Sequence, residues 1–210
     1  PSLNHASGRS TTHSQTVTKV NLVHPELTVI NFALFDLHVE TGKFSVKTRD
    51  IHPEIIKDFL LKTFGQFLIH TPIRLMGINL AVELECPSAE VRDAFGKRLA
   101  PREAWGGWAK MIEGEKDPTS TQHGGLVSIS MRQSKRPDEH LGYIQVKLEP
   151  NLATAKNIFI HINDHHELGG DSDDTSRAME ILEKGWEESL KYSQFIVDET
   201  AQEILRTPIS

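Results

Sequence analysis

Cysteine is nearly absent, with Cys86 the only one in 210 residues, so no intrachain disulfide framework exists and the usage fits a reducing compartment. A cytoplasmic location is the expectation. Long apolar runs are missing too. Stretches such as Phe67 to Ile69 and Leu80 to Val82 fall far short of the roughly 20 residues that a membrane-spanning helix needs. The first residues show no charged segment followed by an apolar one, so no secretory signal is expected. Basic residues are in the minority, 23 Lys and Arg against 29 Asp and Glu, a net charge of −6. They are scattered rather than gathered into a stripe, which argues against nucleic acid as a partner. No Walker-type glycine-lysine loop and no glycine fingerprint stands between a strand and a helix pattern, and Ser128 and Ser130 lack the glycines of a nucleophile elbow. No organic cofactor is implied.

What remains is an ordinary globular composition, with 38% hydrophobic residues, 7% aromatic, and a mean hydropathy of −0.36. At this length about 70% of the extended chain's surface can be buried, which suffices for one core. Residues 1–18 are rich in Ser, Thr, Asn and His and have little to bury, so they read as a flexible arm ahead of one α+β domain, 19–210. A strand is predicted from Thr28 to Val39, apolar on both faces in its first half, followed by a turn at Glu40-Thr41-Gly42 and a second strand around Phe44 and Val46. Pro53 opens a helix whose stripe includes Ile55, Ile56, Phe59 and Leu60.

Further along, Met76, Ile78, Leu80, Val82 and Leu84 alternate with polar or small residues in a long strand, and Ser88 is placed to cap a helix reaching Leu99. A weak helix is expected at 101–112, where Gly106 and Gly107 interrupt the pattern, and a polar loop at 113–125. Three alternating strands follow around Ile129, Val146 and Ile160, with a solvated turn from Ser134 to His140 between the first two. An acidic cluster ending at Asp174 precedes a long C-terminal helix to about Leu205. Strands and helices do not alternate regularly, which predicts an antiparallel sheet of about six strands with two to four helices packed on it.

Chemistry concentrates in His161, Asn163, Asp164, His165, His166 and Glu167. Two imidazoles with a nearby carboxylate can hold a divalent transition metal, so His161, His165, Asp164 and Glu167 form a candidate metal set. The competing reading is a solvated strand end, because the spacing matches no metal motif and the acidic run lacks the glycine and terminal glutamate of a calcium loop. Glu83 and Glu85 lie on the wet side of their strand, where exposed carboxylates are the plainer reading than an acid-base pair. Cys86 reads as a small buried hydrophobe. Trp105 and Trp108, separated by two glycines, are binding candidates, as are Phe32 and Leu34 on the doubly apolar first strand.

The segments His70-Thr71-Pro72-Ile73, Met76-Gly77-Ile78-Asn79, Arg98-Leu99-Ala100-Pro101 with Ala104-Trp105, Gly142-Tyr143-Ile144-Gln145-Val146-Lys147 and Asn163-Asp164-His165 resemble a group of uncharacterised bacterial proteins of similar length. The resemblance spans about residues 25 to 200. It implies a bacterial origin and a stand-alone domain, and it assigns no catalytic residues.

Three functions fit these patterns. The leading expectation is a non-enzymatic binding or assembly module acting as a homodimer, because a strand apolar on both faces needs a cover on each. The alternatives are a metal-dependent hydrolase built on His161 and His165, and a small-ligand sensor with its pocket near Trp105 and Trp108.

Overall fold

Alternating β-branched and polar residues make strands of the first part of the chain, and tight turns fold them onto one another. The computed structural model describes residues 17–112, 125–151, 153, 154, 156–169 and 175–208. Two compact units are present, Pro1–Phe67 and Leu68–Ser210. The boundary lies inside the span 19–210 that the sequence assigns to one body. The acidic cluster before the last helix and most of the 113–125 loop lie outside the described residues, as do residues 1–16 of the expected arm.

In the first unit, β1 (Val17–His24), β2 (Leu27–Phe32), β3 (Asp36–Glu40) and β4 (Lys43–Lys47) pair antiparallel in chain order. The single strand expected from Thr28 to Val39 is two strands. The chain reverses at Ala33 to Phe35, where the Phe32 N–H donates to the Phe35 carbonyl at 2.8 Å and the Thr48 hydroxyl to the Leu34 carbonyl at 2.6 Å. The reversal brings Phe32 and Phe35 together with ring centroids 4.6 Å apart. The turn at Thr41-Gly42 forms as expected, with Gly42 in the left-handed region at φ 77°.

Helix α1 (Glu54–Lys62) follows Pro53 and runs into a π-helical turn, Thr63–Phe67. Its Phe59 ring lies 4.7 Å from Phe35, and Phe64 meets Phe44 edge-on at 5.0 Å. This aromatic cluster, with Phe35 and Phe64 buried, is the core of the first unit.

The second unit comprises β5 (Leu75–Glu85), α2 (Ala89–Leu99), a 3₁₀ segment (Arg102–Met111), β6 (Ile129–Gln133), β7 (Gly142–Pro150), β8 (Asn157–Glu167) and α3 (Ser176–Leu205). The strand order is β5-β8-β7-β6, every neighbouring pair antiparallel. Ser88 caps α2, its hydroxyl accepting from the Val91 N–H at 3.3 Å. The fold is thus α+β with a long C-terminal helix, but the strands number eight in two four-stranded sheets among the described residues, in place of one sheet of about six.

The second core forms where Ile158, Ile160 and Ile162 of β8 meet Val91 and Phe95 of α2 and Val197 and Ile204 of α3. Ile160 and Ile162 are fully buried, each contributing about 1.5–3 kcal/mol relative to exposure. Since β8 alternates strictly, the residues between these isoleucines face the other way, and that second face is half-exposed or exposed at Phe159, His161, Asn163 and His165.

Candidate functional site

Period-two alternation carries the buried face of β8 onward from Ile162 to Asp164 and His166, which are 3% and 2% exposed. A carboxylate in such a place needs a cation. Arg136, itself 4% exposed, supplies it from the β6–β7 turn. Its guanidinium donates to Asp164 and to the His165 carbonyl at 3.0 Å, and clamps Asp138 in bidentate fashion, Nε to Oδ1 at 2.9 Å and Nη2 to Oδ2 at 2.6 Å. The same Nη2 lies 3.3 Å from His166 Nε2. Burial would raise the Asp164 carboxyl, but hydrogen bonds from His166 and Arg136 outweigh it and hold the group at about 2. The neighbouring Ser189 hydroxyl adds to this without making a well-formed hydrogen bond of its own. The turn from Ser134 to His140, expected to be solvated, is therefore corrected at Arg136, which is pulled inside by the charge of Asp164.

Asp138, His140 and His166 bring one potential ligand atom each within 4.8 Å of one another. The Arg136 Nη2 stands between the Asp138 and His166 atoms of this group, so a resident guanidinium already supplies the positive charge there. The metal set read from the sequence does not converge. His161, His165 and Glu167 project from one face of β8 and Asp164 from the other.

On the opposite face of the sheet the rows are polar and aromatic. His165 stands across from Tyr143 of β7 on one side and Gly77 of β5 on the other. The Tyr143 and His165 rings stack with centroids 4.5 Å apart and planes 24° apart, and the Arg132 guanidinium carbon lies 3.8 Å from the Tyr143 centroid. Gln145 accepts from Arg132 at 3.3 Å and donates to Ser130 at 2.9 Å. Burial chiefly, with His166 and the two arginines adding, pushes the His165 imidazole below its ordinary value. Arg132, Tyr143 and Gln145 carry no local sequence motif that marks them as a group. The signal for them was available in the register of three adjacent alternating strands, which sets these side chains in neighbouring rows.

The remaining candidates are dispersed. Trp105 and Trp108 are 53% and 57% exposed and meet edge to face at 5.5 Å, held by a kink at Gly106 (φ 56°, ψ −135°) that only glycine adopts readily. Phe32 sits in the aromatic core of the first unit and Leu34 half-buried in the β2–β3 turn. Glu83 accepts from Asn151 and from Asn157, the latter at 3.0 Å, and these bonds lower its pKa, the reverse of what a general acid needs. Glu85 pairs with Lys156. Burial pushes the Cys86 thiol up, with Arg92 opposing, which is the state of an unreactive cysteine. No described helix is long and apolar enough to cross a membrane. In comparisons with known proteins, the chain matches no family model, no curated protein and no solved structure.

Proposed function

We propose that this protein is a non-enzymatic binding and assembly module that works as a homo-oligomer, a dimer in its simplest form, joined through strand β1. One observation carries the reading: every residue of β1 is exposed, including Val17, Val20, Leu22 and Val23 at 44–69%. Among the described residues the strand lies at the end of its sheet and pairs only with β2. Ordering a residue costs about 1–2 kcal/mol of backbone entropy, and a net hydrogen bond returns only about 1. A strand that buries no side chain needs another source of stability, and an unpaired edge with exposed valines invites a second strand.

A second copy of the same edge fits. Lys19 is the only Lys or Arg on β1 and no acidic residue is present, so little like-charge repulsion opposes antiparallel self-pairing about a twofold axis. The reading is non-enzymatic because Arg136 is shared between Asp138 and Asp164 and holds both carboxyls below their ordinary values, so neither is poised to exchange a proton.

The test is the double variant Val20→Lys, Val23→Lys, compared with the parent chain by native mass spectrometry. The expected result is a parent dimer and a variant monomer with unchanged circular dichroism. A parent chain that is monomeric yet protects its β1 amides from hydrogen exchange would overturn the reading, because its own residues would then be the cover.

A further inference from the structure

We propose that the open face of the second sheet binds a small planar heterocycle of the nucleobase class, stacked on the His165 ring above Gly77 and held at its edge by the carboxamides of Asn163 and Asn79. The row that crosses β7, β8 and β5 reads Tyr143, His165, Gly77. Arg132 and Tyr143 already build two layers of a stack whose third layer is His165, and the fourth position in the row has no side chain. A Cβ on Gly77 would stand 2.8 Å from Asn163 Oδ1 and 3.3 Å from Asn79 Nδ2, so two carboxamides converge where that side chain is missing.

Hydrogen bonding singles out the same place. Arg132, Gln145 and Ser130 are bonded to one another on this face, and Asn79 reaches the Gly77 carbonyl at 3.3 Å. The Asn163 carboxamide and the His165 ring nitrogens make no hydrogen bond to any described residue, although both are half-buried. A carboxamide offers a donor and an acceptor side by side, the pattern that pairs with the edge of a purine or pyrimidine. Stacking on an aromatic face is tolerant of which base it meets, so the carboxamides set the choice.

Other occupants fit less well. An extended peptide needs a free sheet edge, and His165 lies on β8, which is paired on both sides. A lipid needs apolar area, which this row lacks. A polynucleotide needs a track of positive charge, whereas Lys147 is paired with Glu149 at 2.6 Å, and Glu83 lies farther along the same face.

The experiment is a titration of the full chain with adenosine, guanosine, cytidine and uridine at up to millimolar concentration, followed by ¹H–¹⁵N NMR of side-chain amides. At least one nucleoside is expected to shift the Asn163 and Asn79 resonances in a saturable way. His165→Ala is expected to weaken that binding about tenfold or more. Gly77→Ala, whose Cβ fills the position and displaces the Asn163 carboxamide that it would meet at 2.8 Å, keeps the test valid if the histidine variant fails to fold. It too is expected to abolish the shifts, while Trp105→Ala leaves them intact. Failure of all four nucleosides to move these amides overturns the proposal, as does a steeply salt-dependent preference for a single-stranded oligonucleotide over every nucleoside, which would assign the face to nucleic acid.

Discussion

Replacing Arg136 by Met removes the cation that sits among Asp138, Asp164 and His166 while keeping most of the side chain's bulk. Asp138 is more than one-third exposed and turns to water at little cost. Asp164 is not, and its carboxylate is left buried with no partner of permanent charge, only the His166 ring at 3.5 Å and the nearby Ser189 hydroxyl. Breaking a buried pair from one side costs about 3–5 kcal/mol, which for a unit of this size lowers the midpoint of thermal unfolding by roughly 10–17 °C. Replacing both partners is a different perturbation. Arg136→Met with Asp164→Leu removes the desolvated charges together, and most of the loss is recovered.

The assay is chemical denaturation followed by tryptophan fluorescence in a Trp105→Phe, Trp108→Phe background. There Trp186, buried on α3, is the sole remaining indole and reports the second core. A single variant that loses less than about 1 kcal/mol, or a double variant no more stable than the single, would refute the claim that this arginine is held inside to neutralise Asp164.

The same cluster sets an acid limit. The Asp164 pKa falls from 3.8 unfolded to about 2 folded, so its contribution is fully present above about pH 4 and is lost as pH falls toward 2, about 2 kcal/mol in all. A denaturation series in acid is expected to show this loss in the parent and not in Asp164→Asn. Gly142→Ala places a Cβ 2.0 Å from the His165 carbonyl at a φ of 134°, and is expected to cost at least 2 kcal/mol, roughly, read by the same denaturation. Ser88→Ala removes the α2 cap and is expected to cost about 1 kcal/mol. Cys86, 2% exposed with its thiol pKa raised, is expected to react with a disulfide reagent only as fast as the second unit opens, so denaturant should accelerate it steeply.

Much of this architecture is legible in the residues. The hairpin at Thr41-Gly42, the Ser88 cap and the alternation of β5, β7 and β8 are local signals, and each forms where its pattern stands. The β2–β3 turn was hidden because Ala33, Leu34 and Phe35 are apolar and contain neither Gly nor Pro. The partner that holds the turn, Thr48, lies 14 residues beyond Leu34. Strand β1 escaped because it buries nothing, so its valines show no contrast between a dry face and a wet one.

The buried cluster failed for the opposite reason. A turn containing Lys135, Arg136, Asp138 and Glu139 has every mark of a solvated loop, and only Arg136 is drawn in, by a carboxylate 28 residues later. Asp164 and His166 themselves could be placed, since they continue the register of Ile158, Ile160 and Ile162. The stacked row of Arg132, Tyr143 and His165 depends on strand register across three strands, which no single segment records.

Assembly through an uncovered edge is the claim on which the functional reading stands, and the mass of the particle in solution tests it most directly. Light scattering on the untagged chain at micromolar concentration is predicted to give about 47 kDa, twice the 23.6 kDa of one chain. A steady value near 23.6 kDa across that range would contradict it.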